Sequence, residues 1–345
     1  MESRSLGTSE LNVSVFGIGS MTFGAESDEA TSRAILDRYF DAGGRFIDTA
    51  DVYSRGVSEE IIGRWLHRAG ARDEVVIATK ARFPMGDRPD MRGAGSDYLE
   101  RAVDASLKRL GVDAIDLYQM HAWDPDVPID ETLGALNSFV EAGKVRFIGL
   151  SNYTGWQVER AVQVSSHNRW AAPVSLQPQY NLLARDIELE ILPASIENGL
   201  GLLPWSPLGG GWLTGKYSRE SRPIGETRLG EDPNRGVEAY DRRNTDRTWS
   251  ILAEVAVIAE GRGVTMSQVA LNWLRNRPSV SSVLVGARTV EQLDDNLRAL
   301  AWNLEDEEME ALTQVSAPGV PDYLHGFLRD EAGVDIWRRL GTEAT

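Results

Sequence analysis

Cysteine is absent from this 345-residue chain. Disulfides, thiolate metal sites and a cysteine nucleophile are thereby excluded. Histidine is scarce: His67, His121, His167 and His325 are the only four, none is spaced from another as a metal-ligand pair requires, and no metal site is expected. Lysine is equally rare, at Lys80, Lys108, Lys144 and Lys216, so the other 32 of the 36 basic residues are arginine. The opening MESRSLGTSEL holds no long apolar stretch. It reads as neither secretion signal nor membrane anchor, which makes a cytoplasmic location the default. Positive charge is in deficit overall, with a formal net charge of -16. That balance argues against a nucleic-acid or anionic-membrane surface, although one Arg or Lys at a helix start suffices for a local phosphate site.

What is present is ordinary globular material, 42% hydrophobic and 26% charged, and long enough for a large core. Short apolar runs at 15–20, 46–50, 75–81, 115–121, 145–151, 174–179, 201–206 and 282–286 predict strands. They are mostly continuous rather than alternating, as in parallel strands covered on both faces. Helical patterns at 29–42, 58–69, 97–110, 129–142, 156–164 and 186–198 fall between them. Several begin at Ser, Thr or Asp and end at Gly. Eight such repeats predict an α/β chain of one domain, 1–345, closed as a (β/α)8 TIM barrel with its core at about 14–311. Residues 4–13, with Gly7 near the middle, read as an N-terminal β-hairpin able to plug the barrel's bottom. A long Gly/Arg/Asp-rich insertion without evident structure, 208–247, follows strand seven. A C-terminal extension, 317–345, carries Tyr323, Phe327 and Trp337.

Four residues close neighbouring strands: Asp48 and Tyr53 in FIDTADVY, Lys80 in VVIATK and His121 in IDLYQMH. In a barrel these strand ends form the active face. A free phenol, with a pKa near 10, is a poor acid–base group at neutral pH. An adjacent Lys80 ammonium is expected to lower that pKa, and Asp48 to hold the ammonium in place. His121 then orients a carbonyl oxygen while Tyr53 protonates it. His67 falls in a helix, His167 in a polar linker and His325 in the tail, away from this set.

The segments DTADVYSRGVSEEIIGRWL, ATKA, DLYQMHAWD and GLSNY, in that order and spacing, resemble the aldo-keto reductase family from about Leu6 to Ala311. The resemblance implies an oxidoreductase that passes hydride from NADPH to an aldehyde or ketone. It makes Tyr53 the general acid, tuned by Lys80 and Asp48, with His121 positioning the carbonyl. Ser54 departs from the glycine that many members carry, beside an intact tetrad.

No strand–helix turn carries a full G-x-G-x-x-G, and Gly17-Ile18-Gly19 is only a fragment, so a Rossmann site is not expected. Ser151, Asn152 and Gln177 offer side-chain hydrogen bonds at strand ends. They resemble the family's nicotinamide-carboxamide ligands, and Trp205, flanked by Pro204, Ser206 and Pro207, resembles its ring-stacking aromatic. The stretch from Leu208 through Gly210 to Lys216 is glycine-rich, which lets backbone amides approach phosphate, with Arg228 as a further cation. In the family this loop closes over the pyrophosphate. Gly286, Ala287 and Arg288 leave strand eight and open a helix capped by Thr289, a place where helix amides and Arg288 meet a phosphate. The stretch resembles the family's adenosine 2'-phosphate site, with Gln292 and Asn296 near the adenine and Glu291 turned to solvent. NADPH/NADP+ is therefore expected over NADH.

Phe23, Phe83, Trp123, Tyr153, Trp212 and Tyr323 are candidate pocket walls for a small-molecule carbonyl substrate. Two other readings stay open by the same resemblance: a reductase of nucleotide-linked keto- or enoyl-deoxysugars, and an NADPH-binding subunit of potassium-channel type. No heptad or exposed apolar strand marks an interface, so homo-oligomerisation is left open.

Overall fold

A computed structural model of the chain describes residues 1–225, 227–331 and 333, so Trp337 of the predicted tail lies outside the described residues. They fall into two compact units. The first comprises Met1–Pro178, Glu190–Leu203 and Ser281–Leu293, and the second Gln179–Leu189, Pro204–Val280 and the chain from Asp294 onward.

The first unit opens with the expected hairpin, β1 (Ser3–Ser5) antiparallel to β2 (Asn12–Ser14). Eight parallel strands follow: β3 (Phe16–Gly19), β4 (Phe46–Asp48), β5 (Val76–Ala81), β6 (Ile115–Met120), β7 (Val145–Ser151), β8 (Pro173–Gln177), β9 (Gly201–Leu202) and β10 (Val283–Val285). They pair in the order β10-β3-β4-β5-β6-β7-β8-β9. The backbone amides of Ser281 and Ser282 donate to the Leu202 carbonyl, at 3.0 and 3.4 Å, and so join the two outer strands of a (β/α)8 barrel. Helices α1 (Glu29–Asp41), α2 (Val57–Ala69), α3 (Ser96–Leu110), α4 (Ile129–Glu141), α5 (Gly155–Asn168) and α6 (Ile191–Glu197) follow β3 to β8 in turn. Each of the eight strands lies within a predicted run or within one residue of it, because a strand buried on both faces is apolar along its whole length.

The helices are amphipathic in the usual way. On α3 the buried residues Leu99, Ala102, Val103, Ser106 and Leu110 recur every three or four positions, and Gly111 ends the helix at φ +64°. Thr154 and Gln157 cap α5 reciprocally. This helix runs through Asn168, so His167 belongs to its last turn and not to a linker. The predicted helix at 186–198 is broken into a 3₁₀ turn, Asp186–Leu189, and α6. Pro193 is the cause: its ring would strike the carbonyl four residues back, so the α-helix cannot extend through Leu189.

Gly7 fastens the hairpin. At φ +60°, a Cβ there would lie 2.2 Å from the Gly199 carbonyl oxygen and 2.5 Å from the Gly201 nitrogen. Only glycine allows that approach. The Thr8 amide donates to Gly199, and the Gly7 amide to Ser281 Oγ. The hairpin thus covers the bottom of the barrel, where β9 and β10 begin.

The second unit holds α7 (Arg228–Glu231), α8 (Tyr240–Arg243), α9 (Asp246–Arg262) and α10 (Met266–Arg275). After β10 come α11 (Val290–Arg298), α12 (Asp306–Val315) and α13 (Phe327–Asp330). The 208–247 insertion is therefore not structureless: a 3₁₀ turn at Gly209–Thr214, α7 and α8 occupy it. Trp212 anchors it, fully buried against Tyr217, Tyr240 and Trp249. The second unit's core also buries a polar knot, in which Glu188 pairs with Arg185 and Arg277 and accepts from Tyr180. Among the described residues no helix is long and apolar enough to cross a membrane.

Candidate active site

Asp48 ends β4, and its carboxylate is the hub of the upper end of the barrel. Lys80, near the end of β5, donates to Oδ2 at 2.6 Å, while Gln119 of β6 and Gln177 of β8 donate to Oδ1 at 3.1 and 2.9 Å. Lys80 also donates to the Thr49 carbonyl at 2.8 Å and is wholly buried. Gly149 on β7 makes room for this convergence. A Cβ there would sit 2.4 Å from Ser175 Oγ and 3.1 Å from Gln119 Cγ.

Tyr53 begins a 3₁₀ turn after β4, with Lys80 Nζ 5.1 Å from its ring centroid. The turn holds two left-handed residues, Ser54 at φ 49° and Arg55 at φ 53°. Glycine would adopt the first without penalty, whereas Ser54 meets the cost with a hydroxyl bond to the Phe23 carbonyl at 2.8 Å. Burial of the phenol raises the Tyr53 pKa, Lys80 pulls it down and Asp48 pushes it up again; the net direction is upward. This corrects the expected lowering. The sequence shows that an ammonium is near, but not that the phenol is sunk in protein or that Asp48 offsets the ammonium's charge.

His121 follows β6 directly. Its ring lies edge-on to Tyr53 at 5.9 Å between centroids and packs on Phe83 at 4.4 Å. Burial, then the charges of Lys80 and Arg82, hold its pKa well below the usual imidazole value, so it is neutral near pH 7. Its Nδ1 is buried without a hydrogen-bond partner. Asn152, in the left-handed region at φ 56°, donates to the His121 carbonyl at 2.9 Å and to Ser151 Oγ at 3.0 Å. Ser151 donates in turn to the Gln177 carbonyl at 2.9 Å. Ser151, Asn152 and Gln177 therefore join the Asp48–Lys80–His121 set through bonds, across β4 to β8.

Three participants escaped the sequence reading. Gln119 lies two positions before His121, on the same side of its strand, and Arg82 lies two positions past Lys80; period two was the available signal. Asp51 was hidden within DTADVY. It is buried, its Oδ2 accepts from Tyr98 at 3.3 Å, and its Oδ1 has no partner.

The stretch after β10 forms its own local structure. Thr22 and Ser27 donate to the carbonyls of Ala287 and Arg288, both at 3.2 Å. Thr289 caps α11 by accepting from the Gln292 amide at 3.3 Å, and Gln292 Oε1 accepts from the Arg288 amide at 2.8 Å. Arg288 pairs with Glu26 at 3.3 Å. Glu291 is exposed, as expected. A Cβ on Gly286 would meet nothing within 4 Å, so the backbone there borders open space.

Trp205, Ser206, Pro207, Leu208, Gly210, Lys216, Arg228 and Asn296 belong to the second unit. Trp205 is half-buried, which sets it apart from the packed Trp212. Ser206, at φ 54°, donates to Glu238 at 3.0 Å and accepts from the Gly210 amide at 3.2 Å. Pro207 is buried and Leu208 half-buried, Lys216 is exposed, and Arg228 is the first residue of α7. Asn296 is buried on α11. Of the candidate pocket walls, Phe23 and Trp212 are fully buried core instead, because each fills an interior position that local sequence does not reveal. Phe83 and Trp123 are half-buried, Tyr153 packs edge-on against Trp123 at 5.4 Å, and Tyr323 is exposed. A recess of about 390 Å³ lies far from this chemistry, at the other ends of β5 and β6, lined by Arg72, Asp116 and Arg146. Its central carboxylate is already paired with both arginines.

Comparison with known proteins supplies the context. The model of the family described as "Aldo/keto reductase family" matches residues 15–317. An uncharacterized oxidoreductase, YrpG, of Bacillus subtilis is 36% identical over 91% of this chain and 96% of its own length. A versiconal hemiacetal acetate reductase of Aspergillus parasiticus is 33% identical over 94% of this chain and 99% of its own. A probable voltage-gated potassium channel subunit beta of Arabidopsis thaliana is 34% identical over 87% and 91%.

Proposed function

The chain belongs to the aldo/keto reductase family, and from that premise we propose that it reduces an aldehyde or ketone with NADPH, Tyr53 supplying the proton. The observation that carries this reading is the buried Asp48–Lys80 pair, 2.6 Å apart, beneath a protonated phenol and beside a neutral imidazole.

Each group has a distinct task. Tyr53, with its pKa raised, keeps its proton at neutral pH and has one to give. Lys80 attracts the phenolate as it forms, so its help grows along the reaction rather than in the resting state. Asp48 compensates the buried ammonium and, with Thr49, fixes where it points. The neutral ring of His121 offers the carbonyl oxygen a hydrogen bond without competing for the tyrosine's proton.

NADPH, when bound, supplies the hydride. Ser151, Asn152 and Gln177 would hold its carboxamide, because their amides and hydroxyl form a polar ledge bonded to the strand of His121. For Trp205, the 208–216 loop, Lys216 and Arg228 the proposal rests on the family resemblance of their sequence, an aromatic suited to stacking and a glycine-rich loop with cations suited to phosphate. At the other end, Arg288 and the Thr289-capped start of α11 would take the 2'-phosphate. The open space at Gly286 and the free approach it gives to the helix start support this fit.

The test compares native chain and Tyr53→Phe for NADPH consumption with a reactive aromatic aldehyde, alongside NADPH titration by fluorescence. Turnover is expected to fall at least about 100-fold with NADPH affinity unchanged. Equal turnover removes Tyr53 from the chemistry. Tight NADPH binding with no turnover of any simple aldehyde by the native chain would turn the reading toward a nucleotide-linked sugar substrate or a cofactor-binding subunit.

A further inference from the structure

Arg82 stands where β5 ends, two residues past Lys80, and three features of it have no place in the mechanism above. Its backbone has φ 131°, a region in which glycine is at ease and an L side chain is not. Its Nε is buried without a hydrogen-bond partner. Its contact with Asp124 is loose, 3.9 Å between Nη2 and Oδ1, beyond hydrogen-bond length. Asp124 is meanwhile held by other donors, the amides of Ala94 at 3.0 Å and Asp126 at 3.2 Å.

The guanidinium neighbours the carbonyl site through Phe83. Its carbon lies 5.6 Å from the Phe83 ring centroid, and that ring packs on His121. Its charge is also felt by the imidazole and by the phenol of Tyr153. Lys80's charge is matched by Asp48 at 2.6 Å and is sunk in the barrel. Arg82 is a cation beside His121 with donors to offer.

We propose that Arg82 makes this site selective for carbonyl substrates bearing a carboxylate, which its guanidinium binds while His121 and Tyr53 engage the carbonyl. The proposal rests on the reductase reading and narrows it to a substrate class. A planar fork of N–H donors suits a carboxylate, and part of the backbone strain at residue 82 is the cost of aiming it there.

The test sets 3- and 4-carboxybenzaldehyde against their methyl esters, which are close in shape and neutral, in native chain, Arg82→Met and Arg82→Lys. The native chain is expected to favour a free acid at least tenfold in kcat/KM, through KM, and to lose that preference as salt rises. Arg82→Met should erase the preference by lowering kcat/KM for the acids at least tenfold more than for the esters, and Arg82→Lys should keep part of it. No preference in the native chain overturns the assignment, as does a preference that survives in Arg82→Met. Equal loss for acids and esters would make Arg82 a support for His121 and also overturn it. If neither substrate turns over, the reductase reading fails separately. Binding of 4-carboxybenzaldehyde to native chain and Arg82→Met, followed by tryptophan fluorescence, still decides Arg82: undiminished binding in the variant sinks the proposal.

Discussion

Asp51 lies two residues before Tyr53, fully enclosed, with Glu59 as a charged neighbour and a single bond from Tyr98. Burial, then repulsion by Glu59, pushes its carboxyl from 3.8 up to about 7. In the folded chain it therefore keeps a proton that the unfolded chain releases near pH 4. Between those values the native state binds more protons, so stability present at low pH is lost as pH rises toward 7. The loss is at most about 4 kcal/mol, since a shift of one unit is worth about 1.4 kcal/mol. Asp51→Asn keeps the size and removes the titration. Its urea midpoint is expected to exceed that of the native chain at pH 8 and to match or fall below it at pH 5. Parallel pH dependence in the two proteins would show that Asp51 is not the group responsible. Ser54 is governed by a different balance. Its left-handed backbone is offset by the bond to the Phe23 carbonyl, so Ser54→Ala, which keeps the strain and loses the bond, should destabilise the fold by about 1 kcal/mol in the same unfolding assay.

At the scale of elements, strand ends and helix starts divide the work. β4, β5, β6 and β8 converge on the Asp48 carboxylate because parallel strands in register present the same depth of the barrel. The start of α11 is a separate device, with its first amides, Thr289 and Arg288 gathered in one turn. If it holds the 2'-phosphate, Arg288→Ala should weaken NADPH about 10- to 100-fold, the range for a charged hydrogen bond, and leave NADH within threefold. Fluorescence titration with both cofactors reads this directly, and equal weakening of the two would place the 2'-phosphate elsewhere. Glu26 sharpens the point: it pairs with Arg288 at 3.3 Å, so a phosphate bound by that guanidinium would have to displace it.

For the whole molecule, acidity dominates. A net charge of -16 adds repulsion between chains near neutral pH, and the sequence pI is about 4.8. Turbidity of a dilute solution should peak near pH 4.8 and clear again above pH 6, because a chain near zero net charge loses its mutual repulsion. The surplus of acid also makes local cations stand out. Arg82, Arg288 and Lys216 lie against the general field, so any anion they bound would have to be held at short range, where geometry and not net charge decides.

The barrel was legible in the order of residues because buried parallel strands must be apolar throughout and their helices must be amphipathic, so periodicity and length alone separate the two. The hairpin, the cap at Thr289 and the placing of Asp48, Tyr53, Lys80 and His121 at strand ends follow from the same local rules. What local rules do not carry is the sum of surroundings. The rise of the Tyr53 pKa, the neutrality of His121 and the titration of Asp51 depend on groups brought together from the ends of β4, β5 and β6 and from α2 and α3, and on how deeply each is buried. Desolvation and opposing charges act through space, not along the chain. Pro193 could be read as a helix break from its chemistry alone, whereas Phe23 and Trp212 became core only when folding enclosed them. Local chemistry and periodicity put Asp48, Tyr53, Lys80 and His121 at neighbouring strand ends; which of these groups holds a proton emerges only on folding, because protonation is set by the dielectric and the charges assembled around each group.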